Sequence, residues 1–255
     1  MRRMIDAHIH LDQYKDEEIY ELASKYHETE ALVSVSMDLR SAKKTLLLAN
    51  KYSKVKPAFG FHPEQALPSE AEREELISWM KKHKERMIAV GEVGLPYYLR
   101  QEKAVSQAPY IELLEAFILL AKQWDKPIVL HAVYDDAPIV CELLEKHSIQ
   151  KAHFHWFKGD NKTIERLINN GYYISVTPDI VYEQEIQKLA MTFPLEKMMV
   201  ETDGPWPFEG PFQGLMTHSN MMHESILMLA KIKMVDKDTT YHQIFDNTKN
   251  FYSLV

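Results

Sequence analysis

One cysteine, Cys141, occurs in 255 residues. No intramolecular disulfide can form, and a reducing compartment is expected, the cytoplasm by default. Long apolar runs are also missing. No stretch approaches the roughly 20 residues that span a bilayer, so no membrane partner is expected. No secretory signal is expected at the start, because the apolar run behind Met1-Arg2-Arg3 stops at Asp6 and carries His8 and His10. Cations are in the minority, with 30 Lys and Arg against 37 Asp and Glu and a formal net charge of −7. That balance argues against sequence-independent binding of duplex nucleic acid. It leaves room for an enzyme that trims strand ends with a few local cations. Internal repeats, low-complexity segments, a G-x-G-x-x-G fingerprint and a Walker A loop are absent too.

What remains is 45% hydrophobic and 26% charged, the composition of a globular protein. Short apolar runs alternate with amphipathic stretches. The runs cover 4–10, 31–37, 57–61, 87–93, 128–131, 152–156, 172–176 and 198–201. They are rich in Val, Ile, Phe and Tyr, and several are apolar on both faces, as buried parallel strands are. Helical patterns are expected over 16–26, 41–52, from Ser69 onward, and over 106–124, 137–147, 162–169, 183–190, 219–232 and 241–253. Ser69 with Glu72 three residues on forms a capping box. Eight strand and helix units in this length predict a single-domain α/β chain over 1–255, a (β/α)₈ TIM barrel, with an open doubly wound sheet as runner-up.

Polar groups suited to metals stand at the strand ends. His8 and His10, two residues apart, share one face of the first strand. Glu92 ends the fourth run, His131 the fifth and His155 the sixth, and Asp203 follows the eighth. In a barrel these ends converge on one mouth, where barrel active sites lie. Four imidazoles and two carboxylates without a thiolate suit one or two divalent ions, with Zn, Mn, Mg, Co and Fe undistinguished. Six ligands exceed what one tetrahedral ion needs, and two ions bridged by Glu92 would use them all. Singly, each residue has an ordinary explanation: a satisfied core histidine, a carboxylate paired to lysine, a turn former at Asp203-Gly204-Pro205. Their coincidence at five strand ends carries the argument.

Six segments together resemble the TatD family of metal-dependent hydrolases, within the amidohydrolase-like barrels. They are Ile5-Asp6-Ala7-His8-Ile9-His10-Leu11-Asp12, Gly60-Phe61-His62-Pro63, Val90-Gly91-Glu92-Val93-Gly94-Leu95, Pro127-Ile128-Val129-Leu130-His131, His155-Trp156-Phe157-Lys158-Gly159 and Val200-Glu201-Thr202-Asp203-Gly204-Pro205-Trp206. The resemblance implies one metal on His8, His10 and Asp203, a second on His131 and His155, and Glu92 between them. It implies His62 near the substrate, and Glu201 either reaching a further ion or serving as a structural carboxylate. Asp203 and Glu92 are the expected catalytic carboxylates, with Asp203 as general base to a metal-activated water. The family's trimming of DNA makes phosphodiester hydrolysis the leading expectation.

The periphery departs from the family pattern. Gly94-Leu95-Pro96-Tyr97 stands for Gly-Leu-Asp-Tyr. His131-Ala132-Val133-Tyr134-Asp135-Asp136 lacks the usual Arg, and Gln213-Gly214 replaces Arg-Gly. Two guanidinium groups suited to phosphate are therefore missing. Lys158 is the expected substitute, and Arg100 is expected to be solvated surface. Single-stranded nucleic acid ends or a small phosphodiester are the expected substrates. A carboxylic ester, lactone or amide is the alternative, and a non-catalytic metal-binding protein a third. Trp156, Trp206, Phe208 and Phe212 could stack on a ring at the mouth, with loop packing expected for at least two of them. Met216, Met221, Met222 and Met228 are expected to pack a helix on the barrel. A monomer is expected.

Overall fold

A computed structural model describes residues 2–254. Eight strands run β1 Met4–Ile9, β2 Thr29–Ser34, β3 Val55–Phe59, β4 Ala89–Gly94, β5 Ile128–His131, β6 Ala152–Phe154, β7 Tyr173–Val176 and β8 Met198–Val200. Each pairs in parallel with the next in chain order. The helices are α1 Asp16–Tyr20, α2 Leu39–Lys51, α3 Glu70–His83, α4 Tyr97–Glu102, α5 Ala108–Gln123, α6 Asp136–Lys146, α7 Asn161–Asn169, α8 Gln184–Thr192, α9 Met222–Lys233 and α10 Lys237–Phe251. Eight parallel strands ringed by helices form the expected α/β barrel, not an open doubly wound sheet. No helix among the described residues is long and apolar enough to cross a membrane.

Several boundaries differ from the expected ones. The stretch 16–26 is only briefly α-helical before a π-turn over Glu21–Lys25. α4 was not foreseen, because Pro96 and two tyrosines give no helical period. The last helix starts earlier than expected, where Asp236 accepts from the Thr239 amide at 3.0 Å. Ser69 and Glu72 form their capping box at the head of α3. Met221 and Met222 are buried and Met228 is partly buried, but Met216 lies in the loop before α9 and is exposed.

Ile5, Ala7, Val33, Ala58, Ala89, Val129 and Met199 cluster from six strands and so meet inside the barrel. Phe251 and Tyr252 join them and close the end where the strands begin. Outward-facing residues such as Phe59, Val90, Leu130, Phe154 and Ile174 pack under the helices in a larger core. β1 and β8 complete the ring. The His8 carbonyl accepts from the Asp203 amide at 3.0 Å, and the Gly204 carbonyl from the His10 amide at 2.8 Å.

Asp6, fully buried, ties this seam. Its carboxylate accepts from the Thr202 amide (3.0 Å), the Thr202 hydroxyl (2.7 Å) and the Ser219 hydroxyl (3.2 Å). Removing a buried acceptor leaves its donors unsatisfied, at about 1–3 kcal/mol each. Asp6→Ala is therefore expected to lower the urea midpoint by an amount worth about 3 kcal/mol, with the denaturant slope unchanged. An unaltered midpoint would show that the seam does not depend on this carboxylate.

Candidate metal centre

Strict alternation along β1 would turn Ile5 and Ala7 inward and His8 outward. The ladder avoids this with an extra residue. Asp6 pairs with Leu32 but Ile9 with Ser34, three residues against two. β4 repeats the device, with Val90 opposite Ile128 and Val93 opposite Leu130. A bulge reverses the facing of the residues beyond it. Ala7 and Ala89 thus line the interior, and His8, His10 and Glu92 also point inward, nearer the mouth. Gly94 lets β4 and β5 approach here, since a Cβ on it would lie 1.9 Å from the His131 carbonyl oxygen.

All six residues expected as ligands come together. Glu92 has no exposed surface, and its two oxygens serve different neighbours. Oε2 lies 3.1 Å from His8 Nε2 and 3.2 Å from His10 Nε2. Oε1 lies 2.9 Å from His131 Nδ1 and 2.7 Å from His155 Nε2. Asp203 Oδ1 joins the first group, 3.3 Å from His8 Nε2 and 3.5 Å from His10 Nε2. His8 Nε2, Glu92 Oε2 and Asp203 Oδ1 are buried and have no hydrogen-bond partner. Buried polar atoms are rarely left so. Orphaned lone pairs on imidazole and carboxylate, converging in two groups about one carboxylate, fit divalent cations. His8, His10 and Glu92 are close enough to hold an ion, as are His62, Glu92 and His131.

His62 Nδ1 accepts from the Glu64 amide at 3.1 Å. That leaves the proton on Nε2, which faces Glu92 Oε1 at 3.4 Å. His62 is thus arranged as a donor. Glu201 stands behind His155, 3.6 Å from its Nδ1. Its oxygens accept from the Trp156 amide (2.7 Å) and the Ser175 hydroxyl (2.5 Å). His8, His155 and Glu201 are near enough to hold an ion, yet both Glu201 oxygens are already engaged. Sequence reasoning missed Glu64, whose Oε1 lies 3.1 Å from His131 Nε2 while the Tyr98 and Leu99 amides hold it. Nothing in an irregular loop marks such a residue in advance. Arg100 corrects an expectation: it is not solvated surface but is bound to the buried Asp136.

A cavity of about 660 Å³ opens over the centre, walled by Met37, Tyr98, Val133, Trp156, Pro205 and Trp206. Lys158 lines it, with Nζ 4.6 Å from the Trp156 ring centre. Phe208 and Phe212 are buried in loop packing, as expected for two of the four aromatics.

The model of the family described as TatD related DNase matches residues 5–253. The chain belongs to the TatD family of metal-dependent hydrolases. An uncharacterized metal-dependent hydrolase of Haemophilus influenzae is 42% identical over 98% of this chain and 100% of its own length. Human deoxyribonuclease TATDN3 is 30% identical over 79% of this chain and 78% of its own. The crystal structure of YjjV, a TatD homologue from Escherichia coli, superposes with a TM-score of 0.85 at 24% identity, each chain covered fully, and shows the same fold.

For a TatD-family protein the electrostatics at the mouth are telling. Burial alone would raise Glu92, but His155, His62 and His8 outweigh it and hold the carboxyl well below the ordinary range. Burial and His155 push His8 down, yet Glu92 and Asp203 carry it up to about 9. His155 is raised well above its ordinary value by Glu92 and Glu201, also against burial. Burial, opposed only by Glu92, pushes His62 down to about 3, which keeps it neutral. Without cations, therefore, protons on His8 and His155 balance the carboxylates at neutral pH, and a cation must displace them. Cation affinity is expected to rise with pH, by about tenfold per unit for each proton released. Calorimetric titration with Mn²⁺ or Zn²⁺ in buffers of different ionisation enthalpy between pH 6 and 8 checks this. Affinity independent of pH would exclude the protonated cluster.

Proposed function

We propose that this TatD-family chain hydrolyses phosphodiester bonds with divalent cations held by His8, His10, Glu92, His131, His155 and Asp203. The observation that carries the reading is the division of four imidazoles between the two oxygens of Glu92, with the facing atoms unpartnered. The TatD related DNase model and the deoxyribonuclease name of the human relative support a phosphodiester substrate. Bound there, divalent cations supply Lewis acidity, lowering the pKa of water and neutralising charge on phosphoryl oxygens.

The chain's own groups do the rest. Asp203 lies at the cavity floor and is held ionised, below the ordinary carboxyl range, because His8 and the neighbouring imidazoles outweigh its burial. It accepts a proton from the attacking water as the water oxygen bonds to phosphorus. The P–O bond to the leaving group breaks, and Asp203 returns the proton to that oxygen. His62 Nε2–H donates to a phosphoryl oxygen. Glu64 accepts from His131 Nε2–H and fixes the ring. Glu201 positions His155 from behind.

A carboxylic ester, lactone or amide is the second reading, favoured by the scarcity of cations around the cavity. Protein stripped and reloaded with Mn²⁺, Zn²⁺, Co²⁺ or Mg²⁺ separates the two. Bis(p-nitrophenyl) phosphate and a single-stranded oligonucleotide are expected to be cleaved only with metal, and Asp203→Asn to lose about 10²–10⁴-fold. Cleavage of p-nitrophenyl esters with the same metal and Asp203 dependence, while the diesters stay intact, would replace the first reading with the second.

A further inference from the structure

The wall of the cavity holds features that the metal centre does not use. Among the described residues, Lys158 is the one lysine or arginine that lines it. Arg100 is committed to buried Asp136. Gln107 Nε2 donates to the same carboxylate at 2.6 Å, so Arg100 belongs to the joint between α4 and α6. The carboxylate of Glu64, 14% exposed, also lines the cavity and adds negative charge to it.

Beside Lys158 stands an aromatic corner. The rings of Trp156 and Trp206 meet edge to face, 6.2 Å apart at 70°. Trp156 is locked: its indole N–H donates to Asp179 at 2.6 Å and its amide to Glu201 at 2.7 Å. Asp179 is itself held by the Thr177 hydroxyl at 2.5 Å. Trp206 is 59% exposed, yet its backbone is tied on both sides, its amide donating to the Asp203 carbonyl at 3.2 Å and its carbonyl accepting from Thr217 Oγ1. An exposed indole on a pinned backbone offers a flat apolar face that needs little ordering on binding. The corner abuts Asp203, so a group lying on it is adjacent to the reacting centre.

We infer that Trp156, Lys158 and Trp206 form a subsite for a phosphodiester bearing one flat heteroaromatic ring and a single negative charge, such as the terminal unit of a nucleotide chain. The inference rests on the phosphodiester reading above and assigns the residues that select its substrate. The ring lies against Trp206 at the corner. Lys158, steered by the Trp156 face, meets a non-bridging phosphoryl oxygen on the side away from Asp203. Lys158 offers this wall one positive charge, enough for the single charge of a phosphodiester. This recognition replaces the missing arginines by stacking, which every base can satisfy.

Two measurements on the full chain test it. In the first, thymidine 5′-(methyl phosphate) is titrated into metal-stripped protein while tryptophan emission is followed. Quenching is expected, absent with dimethyl phosphate, removed in Trp206→Phe, and shifted to about fivefold or more higher ligand in Lys158→Met. Equal quenching by dimethyl phosphate, or unchanged quenching in both variants, would overturn the subsite. In the second, metal-loaded protein is offered thymidine 5′-(p-nitrophenyl phosphate), methyl p-nitrophenyl phosphate and p-nitrophenyl phosphate, which share one leaving group. The nucleoside diester is expected to be preferred by about tenfold over the methyl diester, through KM, and both over the monoester. Trp206→Ala should remove the first preference by raising KM for the nucleoside diester to that of the methyl diester. If both diesters are cleaved alike, the subsite fails and the phosphodiester reading stands. If neither is cleaved although quenching follows the expected pattern, the phosphodiester reading fails and the binding subsite stands.

Discussion

A carboxylate with no access to water, Glu92, governs the mouth of this barrel. Taking an ionised carboxyl out of water costs several kcal/mol unless opposite charge surrounds it closely. Imidazole nitrogens approach both of its oxygens to 2.7–3.2 Å. The electrostatic consequence is reciprocal. Glu92 is held ionised by the histidines, and His8 and His155 are held protonated against their burial by Glu92. The centre thus carries a demand for positive charge that protons satisfy poorly, since several facing atoms are left without any hydrogen bond. A divalent cation satisfies the same demand with lone pairs already aimed.

That demand explains why the barrel is irregular where it is. β1 and β4 must each fill the interior with a small residue and then aim ligand-type side chains inward one turn of pleat later. Alternation of period two cannot do both, and the bulges after Asp6 and Val90 reconcile them. Asp203 and Trp156, three and two residues past β8 and β6, turn the chain with left-handed backbone, at φ of 48° and 37°. Such a conformation costs about 1–3 kcal/mol for a residue with a side chain and persists only where its surroundings enforce it. The Asp203 amide on the His8 carbonyl and the Trp156 amide on Glu201 are that enforcement.

These irregularities also mark how far the sequence could be read. The strand order and the gathering of His8, His10, Glu92, His131, His155 and Asp203 were legible, because each stands at the end of an apolar run and a barrel brings such ends together. The bulges were not, since no residue type announces an extra step in a ladder. Glu64 was invisible for a related reason: it acts from a loop, through His131, and only the fold brings positions 64 and 131 within 3.1 Å. Arg100 misled, because α4 has no apolar period and its partner Asp136 lies 36 residues away.

Arg100 also shows how the centre and its rim are separable. The cluster about Glu92 is set by strand ends and by the seam that Asp6 ties. The rim is made by α4, the stretch after β6 and the loop after β8, which pack on the barrel without being part of its ladder. There a guanidinium can be drawn into a structural pair with Asp136, and a tryptophan pair can stand beside one lysine, with no disturbance to Glu92. The cluster about Glu92 and the wall of the cavity are therefore held by different parts of the chain. The rim here is largely apolar, the backbone of Trp206 and the indole of Trp156 are pinned, and Lys158 is its one lysine or arginine among the described residues, so what a group meets there is set by loop packing and not by the barrel ladder.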